Sequence, residues 1–187
     1  MERDALEQLR AWKGKKRRKP LIVEGARQVG KTWLLKEFGR TCYGQVAYVN
    51  FEEQKHLRTL FAEDFDVDRI LLAIRTATKV ACEPGETLIV LDEIQEAENG
   101  LTVLKYFQEN APEQHIVAAG SLLGIELHKK ESFPVGKVDF MTLHPLNFLE
   151  FLKAVGDKEL CGLLVGRNAV RRGGIRSAGT VLAGNFL

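Results

Sequence analysis

Residues 25–32, which read GARQVGKT, combine two glycines, a lysine and a hydroxyl side chain at a fixed spacing. They match the pattern G-x-x-x-x-G-K-[ST], in which glycines let a loop wrap closely around phosphate groups. Backbone N–H groups of such a loop point at phosphate oxygens, and the positive end of the following helix dipole adds to the attraction. The predicted phosphate loop consists of Gly25, Ala26, Arg27, Gln28, Val29, Gly30, Lys31 and Thr32.

Two side chains at the end of this loop carry the expected chemistry. Lys31 is expected to reach the β- and γ-phosphates of a nucleotide, and the Thr32 hydroxyl is expected to ligate Mg²⁺. An exposed lysine in a glycine-rich turn is the structural alternative. The loop follows a strand-like run and opens a helix-like one, which is the context that the motif requires.

Two acidic residues, Asp92 and Glu93, follow the apolar run TLIVL within the stretch TLIVLDEIQ, residues 87–95. Asp92 is expected to hold Mg²⁺ through its water shell. Glu93 is placed to polarise an attacking water, which predicts hydrolysis rather than transfer to a small acceptor. The sequence contains no N-K-x-D motif, so adenine is favoured over guanine.

Ser121 follows another apolar run, HIVAA at residues 115–119. If that strand lies beside the Asp92 strand, Ser121 would face the γ-phosphate and the attacking water. A helix-capping or turn serine is the alternative interpretation, and it stays open at this point.

The elements that must position these residues alternate along the chain. Strand-like runs rich in Val and Ile occur at residues 21–24, 46–50, 87–91, 115–119 and 138–143. The third is apolar throughout, as expected of a strand covered by helices on both faces. Strand and helix in alternation predict an α/β fold of three layers around a mainly parallel five-stranded sheet.

Helical spacing of apolar residues marks the elements between and after these strands. Val67, Ile70, Leu71 and Ile74 form one predicted buried stripe. Leu101, Leu104 and Phe107 form a shorter stripe, and Phe148, Leu152 and Val155 form a third. Pro145 is well placed to open that last helix.

Composition narrows the class of protein. Lys and Arg number 27 against 25 for Asp and Glu, so net charge indicates neither a nucleic-acid nor a membrane partner. No apolar run approaches the roughly 18 residues of a membrane helix, and three scattered cysteines without metal-ligand spacing suit a reducing cytoplasm. Residues 13–19 hold six basic side chains, interpreted either as a solvated connector or as a phosphate- or nucleic-acid-binding arm.

The end of the chain departs from the rest in composition. Residues 160–187 contain six glycines, four arginines and no acid. A basic nucleic-acid-binding tail is one interpretation, and a truncated or off-frame, poorly ordered end is the favoured one. We therefore expect an ATP-binding domain at residues 1–157 and an atypical tail at residues 158–187.

Several stretches together resemble a known family. KPLIVEGARQVGKTWLLKEF, VAYVNFEE, LIVLDEIQEAEN, LKYFQENAPEQHIVAAGSLLG and ESFPVGKVDFMTLHPLNFLEFL look like bacterial and archaeal AAA-like ATPases. In these proteins a P-loop domain precedes a C-terminal domain of unknown function. The resemblance covers about residues 5–157. It implies an additional-strand, RecA/AAA-like P-loop fold, Mg²⁺-dependent ATP hydrolysis and a second domain in cis that is missing here.

The resemblance also implies site residues and one departure. Residues 25–32, Asp92, Glu93 and Ser121 match the family's positions for the roles given above. Family members often carry Gly-Arg where this sequence has Gly136-Lys137. Lysine keeps the charge of a transition-state arginine but loses its two-pronged geometry. Ring assembly, and hence self-association, is open.

Three functions follow from these observations. The leading hypothesis is an ATPase. The second is an ATP-controlled switch or non-hydrolysing fragment of a larger ATPase, because of Lys137. The third and weakest is nucleic-acid binding through residues 13–19 and the arginines of the tail.

Overall fold

The computed structural model describes residues 3–121 and 136–156. The chain forms two compact units. One comprises residues 4–145, and the other includes residue 3 and residues 146–156 among those described. The predicted tail at residues 158–187 lies outside the described residues, so it and the predicted domain division stay predictions.

Five parallel strands form the sheet of the larger unit, in the order β2-β3-β4-β1-β5. This confirms the predicted α/β fold, and each predicted strand boundary lies within one residue of the observed one. The strands are β1 Leu21–Glu24, β2 Gln45–Asn50, β3 Thr87–Asp92, β4 His115–Gly120 and β5 Asp139–Thr142.

Among the described residues, four helices cover the two faces of this sheet: α1 Asp4–Lys13, α2 Lys31–Cys42, α3 Val67–Thr78 and α4 Gly100–Asn110. The fully buried strand β3 shows how the layers arise. Leu88 and Val90 join the core beneath α1 and α2, while Ile89 and Leu91 join the core beneath α3 and α4. Because successive side chains of a strand point to opposite faces, an all-apolar strand contributes to both cores.

Helix α3 confirms the stripe predicted from its apolar spacing. Val67, Ile70 and Ile74 are buried, and Leu71 is partly buried against the same core. The Asp66 side chain accepts from two backbone N–H groups in the first turn and so defines where the helix begins. Two 3₁₀ turns, Lys55–Leu57 and Ile94–Glu96, are also present in this unit.

The smaller unit contains α5, Phe148–Val155, and here the prediction that Pro145 opens the helix was wrong. Asn147 and Glu150 form a capping box, so the helix begins after Asn147 and not at Pro145. Phe148 and Val155 are 61% and 63% exposed, whereas Leu152 is buried. Apolar spacing marks a face of a helix, but it does not establish that something covers that face.

The basic run at residues 13–19 is tied back to the larger unit. Lys15 pairs with Asp139 at 3.0 Å, and Lys13 donates to the carbonyl of Cys42. The guanidinium of Arg18 donates to backbone carbonyls. These contacts favour the connector interpretation. Within residues 3–121 and 136–156, no helix has the length and apolarity that crossing a bilayer requires.

Candidate nucleotide-binding site

The loop between β1 and α2 adopts a conformation that depends on its glycines. Gln28 and Gly30 have positive φ angles of 64° and 90°, so the backbone turns sharply just before α2. A Cβ added to Gly25 would lie 2.4 Å from the carbonyl oxygen of Leu143. The Leu143 amide donates to the Glu24 carbonyl at 2.7 Å, which fixes that oxygen against the loop. Only glycine fits at position 25 without moving the backbone.

Lys31 is folded back over this loop. Its ammonium donates to the carbonyl oxygens of Gly25 and Ala26, both at 2.9 Å, and only 6% of the residue is exposed. Burial lowers the pKa of Lys31, and the charges of Glu93 and Asp92 oppose that shift. A cation is thus held against the loop, where an anionic ligand could replace its carbonyl partners.

Asp92 is the last residue of β3, and its buried carboxylate accepts three hydrogen bonds. Its Oδ2 accepts from the Thr32 hydroxyl at 2.8 Å and from the Tyr48 hydroxyl at 2.6 Å. Its Oδ1 accepts from the backbone N–H of Glu93 at 3.1 Å. Only 1% of Asp92 is exposed, so these donors replace the water that an ionised carboxylate would otherwise require.

Glu93 and Ser121 meet because β3 and β4 are neighbours, with Asp92 opposite Ala119. Glu93 has left-handed backbone angles, φ 50° and ψ 47°. Its Oε2 accepts from the Ser121 amide at 3.3 Å, the Ser121 hydroxyl at 3.2 Å and the Gln95 amide at 2.5 Å. The backbone conformation and these three bonds together fix the carboxylate at the sheet edge.

A cleft of about 300 Å³ opens between the loop and the ends of β3 and β4. Arg27 is 79% exposed at the side chain and faces Glu52 at 4.0 Å. The cleft combines one arginine with several carboxylates and a hydroxyl. It is lined by Arg27, Glu52, Glu93, Gln95, Glu96 and Ser121.

Sequence reasoning missed Tyr48 and Gln95 as members of the site. Burial and the Asp92 carboxylate both raise the pKa of Tyr48, so its phenol keeps the proton that it donates. The Lys36 ammonium lies 4.4 Å from the centre of the Tyr48 ring. The sequence VAYVN held a signal for Tyr48, because side chains alternate along a strand and Tyr48 therefore shares one face with Val46.

Two side-chain oxygens of the site could hold a magnesium ion whose other ligands come from a nucleotide and water. Among the residues that the structure describes, no group of three or more His, Cys, Asp and Glu side chains could hold a metal by itself. Mg²⁺ is usually bound through one or two protein oxygens together with substrate phosphates and waters. Thr32 Oγ1 and Asp92 Oδ2, 2.8 Å apart, supply such a pair.

The structure therefore brings the predicted residues together at one edge of the sheet: the loop of residues 25–32, Asp92, Glu93 and Ser121. Their individual roles stay predictions. Lys137 instead pairs with Glu109 of α4 at 3.1 Å.

Comparisons with known proteins bear on the fold and the family. The family model described as AAA domain matches residues 17–152. No curated protein matches the chain. Among solved structures, the chain is similar to the Aeropyrum pernix ORC1 protein, solved in complex with DNA, at 16% identity and a TM-score of 0.51. That alignment covers 87% of this chain and 53% of the ORC1 chain.

Two further solved structures are similar at lower scores. The C. elegans PCH-2 structure has 14% identity and a TM-score of 0.45, covering 82% of this chain and 47% of that one. The Pif1 helicase from Candida albicans has 12% identity and a TM-score of 0.42, covering 81% and 41%. This chain thus spans about half the length of the ORC1 chain and less than half the length of the other two chains. At these identities, the ORC1 likeness supports the fold.

Proposed function

The chain belongs to the AAA domain family, and on this premise we propose that it binds ATP with Mg²⁺ and hydrolyses it to ADP and phosphate. One observation carries the proposal. The hydroxyl of Thr32, at the end of the phosphate loop, lies 2.8 Å from the buried carboxylate of Asp92, with Glu93 next in the chain. The two proposed metal ligands and the proposed base thus lie close together at the end of the phosphate loop.

Each side chain of the site has a separate role in binding or hydrolysis. The loop amides and Lys31 bind the phosphates, with Lys31 exchanging carbonyl partners for phosphate oxygens. Thr32 and Asp92 hold the magnesium ion, which when bound offsets the charge that develops on the phosphates. Glu93 accepts a proton from the attacking water, and the Ser121 hydroxyl orients the Glu93 carboxylate.

The substitution Glu93→Gln tests this assignment. It keeps the size of the side chain and removes the base, so ATP binding should persist while turnover falls by about 100-fold or more. Phosphate release and ATP affinity are measured on the same preparation. Glu86→Gln, at the opposite end of β3, is the matched control and should turn over like the unsubstituted chain. Undiminished turnover in Glu93→Gln would remove Glu93 from the mechanism.

A nucleotide-controlled switch without appreciable hydrolysis is the second candidate. It is favoured by the three hydrogen bonds that Ser121 and Gln95 already make to Glu93 Oε2. A carboxylate so engaged is less available as a base. A switch requires conformations that bind ATP and ADP with different affinity. Identical hydrogen-exchange patterns with the two nucleotides would count against it.

Further expectations are part of this proposal. The absence of an N-K-x-D motif favours adenine, and the scattered cysteines favour a cytoplasmic location. The resemblance implies a second domain in cis and leaves self-association open. The two described cysteines, Cys42 and Cys82, are free thiols.

A further inference from the structure

Tyr48 reaches the site because successive side chains of β2 point to opposite faces of the sheet. Ala47 and Val49 join the core beneath α3 and α4, whereas Tyr48 packs on the core beneath α1 and α2. Helix α2 presents Thr32 and Lys36 to this region, four residues apart and therefore on one side of the helix. Tyr48 is thereby in contact with both.

The contacts of Tyr48 converge on one carboxylate. Its hydroxyl donates to Asp92 Oδ2 at 2.6 Å, and the Thr32 hydroxyl donates to the same oxygen at 2.8 Å. The Lys36 ammonium lies 4.4 Å from the ring centre. A cation over the ring adds an attraction that helps to hold the phenol in place.

We propose that Tyr48 is a positioning residue that holds Asp92 for the magnesium ion of a bound nucleotide. The inference rests on the proposed function, because it assigns a role within that same site. Tyr48 acts through Asp92 and not as a ligand or a base.

Two hydroxyl groups donate to Asp92 Oδ2, and one of them, that of Thr32, also belongs to a proposed metal ligand. The Thr32 oxygen would bind the metal through a lone pair and its O–H would still donate to Oδ2, so Tyr48 is the side-chain donor to Oδ2 that is not itself a proposed metal ligand. Asp92 is only 1% exposed, so bulk water has little access to replace a lost donor. Without the phenol, the carboxylate would be underpaired and less fixed in orientation.

The test compares the affinity of the full chain for a non-hydrolysable ATP analogue in EDTA and in excess Mg²⁺. The quantity of interest is the factor by which Mg²⁺ tightens binding. Tyr48→Phe should reduce that factor about tenfold, as expected for one hydrogen bond to a charged group, while the affinity in EDTA is unchanged.

Tyr43→Phe is the matched control. The Tyr43 hydroxyl makes a hydrogen bond of similar length, 2.7 Å to His115 Nδ1, but at the opposite end of the sheet. It should leave the magnesium-dependent factor unchanged even if both variants lose similar stability. Equal factors in Tyr48→Phe and Tyr43→Phe would overturn the inference, and so would an equal loss in EDTA and in Mg²⁺.

A double-mutant cycle distinguishes positioning from direct binding. In an Asp92→Asn background, Tyr48→Phe should have no further effect on the magnesium-dependent factor, because its partner is already altered. Additive effects would show that Tyr48 does not act through Asp92. Failure of the unsubstituted chain to bind the analogue at all would instead refute the proposed function, and the inference with it.

Discussion

Lowering the pH from 8 to 5 should destabilise the folded chain through His115. This residue opens β4, is only 7% exposed and shares a hydrogen bond with the Tyr43 hydroxyl. Burial, together with the positive charges of Arg18 and Lys13, lowers the pKa of His115 from 6.5 to about 4. The folded state therefore keeps the imidazole neutral where the unfolded chain protonates it.

The sign and size follow from linkage. A histidine with a depressed folded pKa contributes stability that is present above pH 6.5 and is lost as the pH falls toward 4. At pH 5 the loss is about 2 kcal/mol, and it approaches about 3 kcal/mol near pH 4. For a chain of this size, 2 kcal/mol corresponds to a fall of about 4–8 °C in the unfolding midpoint.

The assay is thermal unfolding at several pH values, with His115→Gln compared to the unsubstituted chain. Other groups titrate in both proteins, so the difference between their pH profiles isolates His115. His56, which is exposed, provides the control: His56→Gln should follow the unsubstituted chain. Parallel profiles for His115→Gln and the unsubstituted chain between pH 8 and 5 would refute the buried, neutral imidazole.

Two further substitutions test local geometry. Gly25→Ala places a Cβ 2.4 Å from the Leu143 carbonyl, so thermal unfolding should show a loss of about 1–3 kcal/mol and calorimetry a weaker affinity for ATP. Gly85→Ala, at a positive φ but with open space, is the control that should keep ATP affinity. Asn147→Ala removes the capping box with Glu150, so the amides of α5 should exchange about fivefold faster, equivalent to ~1 kcal/mol. Unchanged ATP affinity in Gly25→Ala, or unchanged exchange in Asn147→Ala, would contradict these interpretations.

The strands and the phosphate loop were predictable because their signals are local. A run such as TLIVL is buried on both faces whatever its neighbours are, and the loop motif includes its own strand and helix context. The prediction that Ser121 belongs to the site depended on one assumption, that the strand before it lies beside the Asp92 strand. The observed pairing of β3 with β4 satisfies it.

The features that sequence reasoning missed depend on tertiary contacts. Tyr48 was read as part of a strand, because its role arises only when Asp92 and α2 are placed around it. The exposed face of α5 shows the converse, since Phe148 and Val155 have the spacing of buried residues without their burial. The Asn147 capping box, by contrast, could have been read from the letters NFLE.

Thermal unfolding with and without excess Mg·ATP tests most directly whether the loop at residues 25–32 binds ATP. At a hundred times the dissociation constant, binding adds about 2.7 kcal/mol of stability, which should raise the midpoint by about 5–10 °C. Lys31→Ala should abolish most of that rise. A midpoint that Mg·ATP leaves unchanged, or an equal rise in Lys31→Ala, would contradict ATP binding by this loop.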